Sequence, residues 1–328
     1  MLRQSGECWV ITDQATGNQR QAFALAERLG LPIRHLLLEP RAPWSWFAPR
    51  LLAGGRLALT APQREMFAPP WPRVAVGCGR AAALFTRMLR GLSGGDCHTV
   101  QILDPRLDPQ HWDTVIAPQH DQLTGPNVLT PLGSLNPIDD AWLADARAAF
   151  GELAALPQPR VGVLLGGPRK GIALDTDYGD ALARRLLDDQ RIHGGSLLVT
   201  ASRRTPPALF ELVRYALRDT PGLCWRDAQD GPNPYPGILG WADRLVVTPD
   251  SANMLSEACA VGCPVGTLVL KPLPTKIARF HRSLREAGLL GEIGEPVDEW
   301  PAPLRETAAL ARVIVERMAK PGRASHSA

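Results

Sequence analysis

Short apolar runs alternate with stretches of helical period along most of this chain. Cys8 to Thr12, Ile33 to Leu38, Arg73 to Gly77, Thr99 to Leu103, Asp113 to Ala117 and Asn127 to Thr130 read as strands. Helical stretches Gln21 to Leu29 and Ala81 to Leu89 fall among them. A segment with one helix, Asp139 to Leu153, then closes on Leu156-Pro157-Gln158-Pro159. Beyond it the alternation resumes, with strands Val161 to Leu165, Ser196 to Thr200, Leu223 to Arg226, Leu245 to Val247 and Val265 to Val269. Helices Tyr178 to Leu187, Ala208 to Leu217, Gly237 to Ala242, Ser251 onward and Thr275 to Glu286 lie between or after them. Alternation of this kind implies parallel sheets whose functional loops sit at the carboxyl ends of the strands. The expectation is an α/β protein of two Rossmann-like domains. Its parts are an N-terminal domain over 1–135, a linker with a helix over 136–159, a C-terminal domain over 160–303, a closing helix over 304–319 and a disordered tail over 320–328.

Composition narrows the class. The 328 residues suffice for two cores, and 45% hydrophobic with 21% charged residues is ordinary for a globular protein. No apolar run nears the roughly 18 residues of a membrane span, and Met1 to Glu7 lacks a signal-peptide pattern, so a cytoplasmic location is expected. The six cysteines are dispersed without ligand spacing, which suits reduced thiols and predicts no structural metal and no cofactor. The net charge of +3 hides an asymmetry: residues 1–94 hold twelve Arg against five acids, and 95–150 hold two Arg against eight. The first block therefore offers a basic surface. Neither an aromatic RNA-binding strand nor a zinc finger is present, so nucleic acid is not an expected partner.

The candidate chemistry concentrates after the strands of the second half. Val246 to Ala258 reads as strand, polar turn and helix, which puts Asp250, Ser251, Asn253 and Met254 at a helix mouth suited to an anion. Glu257, farther along that helix, is placed to accept hydrogen bonds from a ribose diol. The plainer reading is that Asp250 or Ser251 caps the helix and Glu257 is a solvated acid. Gly166-Gly167 permits close backbone approach to a ligand, but lacks the residues of a phosphate-binding loop or a dinucleotide fingerprint. Ser202-Arg203-Arg204-Thr205 is able to hold a diphosphate through charge-assisted bonds, or leaves one Arg on the surface and Thr205 as a cap. Asn233 and Tyr235 offer an amide for a base edge and a ring for stacking, or simply a Pro-rich turn. All these loops come after strands of one sheet, so together they suggest one pocket.

In the first half, the polar residues after strands are Asp13 and Asn18, Gly79 and Arg80, Asp104 and Arg106, and His120 and Asp121. Trp44, Trp46, Phe47 and Arg50 form an aromatic and basic run between prolines, which reads either as an interfacial membrane patch or as ordinary packing of two Trp.

Together these blocks resemble the bacterial members of the mitochondrial-fission "elongated mitochondria" family. The similarity is carried by Asp13-Gln14-Ala15-Thr16-Gly17-Asn18, Gly77-Cys78-Gly79-Arg80, Leu103-Asp104-Pro105-Arg106, Pro118-Gln119-His120-Asp121, Leu164-Leu165-Gly166-Gly167-Pro168, Ser202 to Pro206, Asn233-Pro234-Tyr235 and Val247 to Ala258. The resemblance implies a GT-B-like fold, two Rossmann-like domains facing across a cleft, with a nucleotide-sugar donor held mainly by the second. It also implies two other functions. The plant namesake is described as an adaptor that recruits a dynamin-related protein, and bacterial members are loosely labelled nucleotide-sugar epimerases. On the transferase expectation, Arg203, Arg204 and the Asp250 to Met254 helix mouth stabilise the leaving phosphate without a metal. Asp13 is the first candidate for the general base, and His120 with Asp121 the second. Gly17, Asn18, Gly79, Arg80, Asp104 and Arg106 would line the first domain's side of the cleft. The acceptor would be lipid-linked or of lipopolysaccharide type, reached by peripheral contact with the inner face of the cytoplasmic membrane.

Overall fold

A parallel strand that is covered on both faces needs apolar residues along its buried length, and residues 8–11, 161–165 and 245–247 meet that requirement. The structure is a computed structural model and describes residues 5–295, 300 and 302–319. Among these, residues up to Pro137 together with those from Glu306 onward form one compact unit, and Ile138–Arg305 form a second.

The first unit runs β1 (Ser5–Thr12), α1 (Thr16–Glu27), β2 (Ile33–Leu37), α2 (Trp44–Phe47), α3 (Ala61–Met66), β3 (Pro72–Cys78), α4 (Gly79–Leu92), β4 (His98–Ile102), β5 (Thr114–Ile116) and β6 (Val128–Leu129). Its six strands are parallel in the order β2-β1-β3-β4-β5-β6. The sheet grows outward from β1 to β2 and then in the opposite direction from β3, so the switch point lies between β1 and β3. Period-2 alternation sorts β1 between two cores. Trp9 and Ile11 join Phe67, Trp71, Phe85 and Leu89 on one face, while Cys8 and Val10 join Ala22, Leu25, Val74 and Val76 on the other.

The second unit runs α5 (Asp140–Ala149), β7 (Arg160–Leu165), α6 (Thr176–His193), β8 (Ser196–Ala201), α7 (Pro207–Ala216), β9 (Gly222–Trp225), α8 (Tyr235–Trp241), β10 (Arg244–Val247), α9 (Ala252–Val261), β11 (Val265–Thr267), α10 (Thr275–Glu286) and β12 (Gly291–Glu292). Its parallel order is β12-β11-β10-β7-β8-β9, with the switch point between β7 and β10. Val161, Val163 and Leu165 of β7 pack against Leu182 and Leu186 of α6 and Leu209 and Phe210 of α7. α5 packs on α8 of the same unit. The last helix, α11 (Thr307–Ala319), belongs to the first unit, where Ala311 and Ile314 join the core around Ala22 and Leu25. The tail read as disordered, 320–328, lies outside the described residues.

Several boundaries differ from the sequence reading, for local reasons. α1 starts at Thr16, not Gln21, because the Asp13 carboxylate accepts from the Ala15 N–H at 3.0 Å and folds the chain directly into a helix. Gly17 and Asn18 therefore sit in the first turn of α1 and not in a loop. Likewise, β3 passes into α4 with no intervening turn, since Gly79 takes φ +85°, and Arg80 is a first-turn residue. Tyr235 opens α8 where a loop was expected. β12 has two residues and α3 six, too few to show a period.

His281 of α10 is 1% exposed, and its Nε2–H donates to the Pro249 carbonyl at 3.0 Å. Burial lowers its pKa to about 4, against the partial opposition of that hydrogen bond. An unfolded-state histidine titrates near 6.5, so protons bind preferentially to the unfolded chain between about pH 6.5 and 4. The stabilising contribution is complete above pH 6.5 and is lost as pH falls through that window, by about 3 kcal/mol in total. Urea unfolding at pH 7 and about pH 4.5 should show a smaller loss on acidification for His281→Gln than for the wild type. Equal losses in the two proteins would exclude His281 as the source.

Candidate functional site

Registers in the second sheet align the ends of its three central strands. Val247 of β10 lies opposite Leu164 of β7, and Leu165 lies opposite Ala201 of β8. The next residues in each chain segment, Gly166, Ser202 and Thr248, therefore emerge side by side at the carboxyl edge, next to the switch point. One buried carboxylate ties these loops together. Asp250 is fully buried; its Oδ2 accepts from the Gly167 N–H at 3.1 Å and from Arg204 Nη2 at 3.0 Å, and its Oδ1 accepts from the Thr248 hydroxyl at 2.7 Å. Thr248 Oγ1 in turn accepts from the Gly166 N–H at 2.8 Å. The Arg169 Nη1 donates to the Asp250 carbonyl at 2.9 Å.

This arrangement revises the roles expected of several residues. The Gly166 and Gly167 N–H groups, expected to face a ligand, are bonded to Thr248 and Asp250. Their lack of side chains admits protein atoms: a Cβ on Gly166 would stand 2.1 Å from Asp250 Oδ1, and one on Gly167 would stand 2.3 Å from the Arg204 carbonyl oxygen. The Asp250 carboxylate is engaged by these loops, and Ser251 caps α9 by accepting from the Met254 N–H at 3.3 Å. Asn253 lies in the first turn. Ser202 and Thr205 close the β8 turn on themselves: Thr205 Oγ1 accepts from the Ser202 N–H at 2.9 Å and lies 2.8 Å from the Leu165 carbonyl oxygen. Arg203 is exposed, and Arg204 has one nitrogen on Asp250 while its side chain is 55% exposed.

Glu257 is 3% exposed in the middle of α9, and the Tyr235 hydroxyl donates to its Oε2. Asn233 Oδ1 accepts from the Tyr235 N–H at 3.0 Å, an Asx turn that starts α8 and aims Tyr235. Asn233 and Tyr235 thus meet Glu257 as a connected set, where the sequence suggested separate contacts to a base.

In the first unit, the residues after β1 and β3 come together at the other switch point. Asp13 accepts from Asn18 Nδ2 at 3.0 Å, and Asn18 Oδ1 lies 3.7 Å from the Cys78 thiol. A Cβ on Gly79 would stand 2.5 Å from Asn18 Nδ2. Burial, with the Asp13 charge, raises the Cys78 pKa well above the usual thiol range, which disfavours the thiolate. After β4, Leu103 (φ +71°) and Arg106 (φ +56°) are left-handed, and Asp104 Oδ1 accepts from the Arg106 N–H at 2.7 Å. His120 and Asp121 are a buried neighbouring pair, with Nε2 to Oδ1 at 3.5 Å. Trp44 is half-buried and donates to the Ala53 carbonyl, Trp46 and Phe47 are exposed, and the exposed Arg50 donates to the Arg106 carbonyl at 3.4 Å. Among the described residues no three His, Cys, Asp or Glu side chains converge as a metal requires, and no helix is long and apolar enough to cross a membrane.

The sequence reading missed Thr248 and Arg169. Thr248 stood two residues before Asp250, a spacing at which a hydroxyl reaches a following carboxylate, and that signal was available. The contact of Arg169 with a carbonyl about eighty residues away left none.

Two six-stranded parallel sheets with polar strand-end loops define an α/β protein of GT-B type, built from two Rossmann-like units. The fold is similar to that of UDP-GlcNAc 2-epimerase from Methanocaldococcus jannaschii, with a TM-score of 0.56 at 12% identity over 94% of this chain and 98% of that one. It is also similar to Os79 from O. sativa in complex with UDP, with a TM-score of 0.56 at 12% identity over 95% and 94%. The profile of the family Mitochondrial fission ELM1 matches residues 16–318. The mitochondrial fission protein ELM1 of Arabidopsis thaliana is 32% identical over 290 residues, which is 79% of this chain and 67% of that protein. The chain belongs to the mitochondrial fission ELM1 family.

If Gly166 is required for the approach of Asp250, Gly166→Ala lowers unfolding stability by about 1–3 kcal/mol. Gly151→Ala, whose new Cβ meets nothing within 4 Å, changes it by less than about 0.5 kcal/mol. Urea unfolding of both variants checks this; a Gly166→Ala protein as stable as the control would show that the loops yield freely.

Proposed function

We propose that this protein is a glycosyltransferase whose second unit holds a nucleoside-diphosphate sugar. The observation that carries the reading is Arg204, fixed by a fully buried Asp250 beside the switch point with its side chain 55% exposed. A guanidinium held in place at the edge of a parallel sheet presents its remaining N–H groups to a diphosphate with little ordering cost. Arg203 adds charge on the same loop, and the mouth of α9, where Asn253 and Met254 sit, adds the helix dipole. Glu257, aimed by Tyr235, accepts from the ribose hydroxyls. Charge that develops on the leaving diphosphate is then met by arginines and by the helix end.

Proteins of similar fold support the choice of donor: one is described as a UDP-GlcNAc epimerase and another was solved with UDP. The acceptor in this reading belongs to the cell envelope, is lipid-linked or of lipopolysaccharide type, and is met at the inner face of the cytoplasmic membrane. Asp13, or His120 with Asp121, supplies the base that takes the acceptor proton. A second reading, a non-catalytic adaptor, is favoured by the fission role in the name of the Arabidopsis relative. An epimerase of the same fold shares the donor contacts and needs no acceptor.

Calorimetric titration with UDP, other nucleoside diphosphates and their sugars separates these. The proposal expects one nucleotide to bind, with Arg204→Ala weakening it about tenfold or more through the loss of a charge-assisted bond. Glu257→Ala weakens the ribose-bearing ligands but not inorganic pyrophosphate. No binding by the folded wild type would favour the adaptor. Conversion of a bound nucleotide sugar to its epimer without acceptor would favour the epimerase. With an acceptor supplied from envelope extracts, Asp13→Asn or His120→Gln should abolish transfer while leaving donor affinity intact.

A further inference from the structure

The segment between β2 and α3 enters the core through a few residues and leaves four large apolar side chains outside. Ala48, Ala58 and Leu59 are in the core, at 4%, 0% and 1% exposure, whereas Trp46 is 71%, Leu57 58%, Phe47 55% and Leu52 36% exposed. Apolar side chains scattered singly over a surface are ordinary, but four within twelve residues on one folded segment are not. They are close in space as well. α2, which carries Trp46 and Phe47, packs on the turn Gly55–Ala58 that carries Leu57, and both Trp44 and Leu57 reach Gly54.

Fraying does not account for this exposure, because the segment is pinned along its length. Arg87 Nη1 donates to the Pro49 carbonyl at 3.0 Å, Arg80 Nη2 to the Ser45 carbonyl at 3.4 Å, and Trp44 Nε1 to the Ala53 carbonyl at 2.9 Å. The Arg41 N–H donates to the Ala58 carbonyl at 2.9 Å. The rings are thus held outward on a folded support. Around them Arg41, Arg50 and Arg56 are exposed, and residues 40–64 contain four Arg and no acid.

We propose that this surface docks the protein on an anionic lipid bilayer, with Trp46, Phe47 and Leu57 entering the head-group and acyl boundary and Arg41, Arg50 and Arg56 lying among the lipid phosphates. Charge selects the occupant. Indole and phenyl rings interleaved with cations, in a stretch from residue 40 to 64 that holds no acid, match the layered chemistry of such an interface. Few side chains lose freedom on insertion, since the support is already ordered. The inference extends the membrane-side acceptor of the proposed function, but it concerns the lipid surface alone and is tested without any sugar donor. Its failure and that of the donor reading are therefore separate events.

The test is co-sedimentation of the full chain with sucrose-loaded vesicles. One set is phosphatidylglycerol mixed into phosphatidylcholine, the other phosphatidylcholine alone. The proposal expects binding to the first set that weakens with salt and is at least about tenfold weaker on the second. Trp46→Ser with Phe47→Ser should lower partitioning at least about tenfold, with an unchanged circular-dichroism melt. Arg50→Gln with Arg56→Gln should reduce the preference for phosphatidylglycerol while leaving the melt intact. Wild-type protein that stays in the supernatant with both sets overturns the proposal, as does a ring variant that binds like wild type. Concentration-dependent dimers that the ring variant abolishes, without vesicle binding, would assign the surface to a second copy and also overturn it.

Discussion

Everything at the carboxyl edge of the second sheet depends on one buried carboxylate. A carboxyl group with no solvent access is tolerated only when its oxygens are engaged by donors. Asp250 meets that condition with a main-chain N–H, a hydroxyl and a guanidinium drawn from three strand-end loops. The requirement runs in both directions. The loops satisfy Asp250, and Asp250 fixes how near they stand, which is why two consecutive glycines come directly after β7. Any side chain there would occupy the space of the carboxylate or of the Arg204 backbone.

The first unit solves the same topological problem with a neutral group. Asn18 joins the turn after β1 to the turn after β3, and Gly79 leaves room for it. The difference matters for chemistry. At the switch point of the second unit the carboxylate is internal and an arginine faces outward, which suits an anionic ligand. In the first, the Asp13 carboxylate itself is partly exposed and held by an amide and an N–H.

Membership in a family named for organelle division sits beside a fold shared with sugar-nucleotide enzymes without contradiction, because a fold hosts functions and does not fix them. The residues that discriminate are few. The transferase reading requires the exposed part of Arg204 to meet a ligand, which the adaptor reading does not, and an outward aromatic surface is compatible with both.

The two α/β halves were legible in the sequence, because parallel strands covered on both faces are apolar along their buried length, and the runs at 8–11, 161–165 and 245–247 are so. The loops that carry polar chemistry were legible for the same reason, since each begins where such a run stops. Helix starts were less legible. Thr16 begins α1 because the side chain of Asp13 reaches Ala15, a contact that no periodicity encodes. Only the tertiary structure decided which polar groups face inward. Asp250, Gly166 and Gly167 look alike as ligand-binding candidates along the chain, yet strand order brings β7 beside β10 across some eighty residues and turns them toward one another. The same holds for residues 41 to 57, where sequence left two tryptophans equally able to pack or to protrude. Docking on α4 half-buried Trp44 and left Trp46 in solvent, since the backbone anchors from Arg80 and Arg87 fix which face of the segment meets the core.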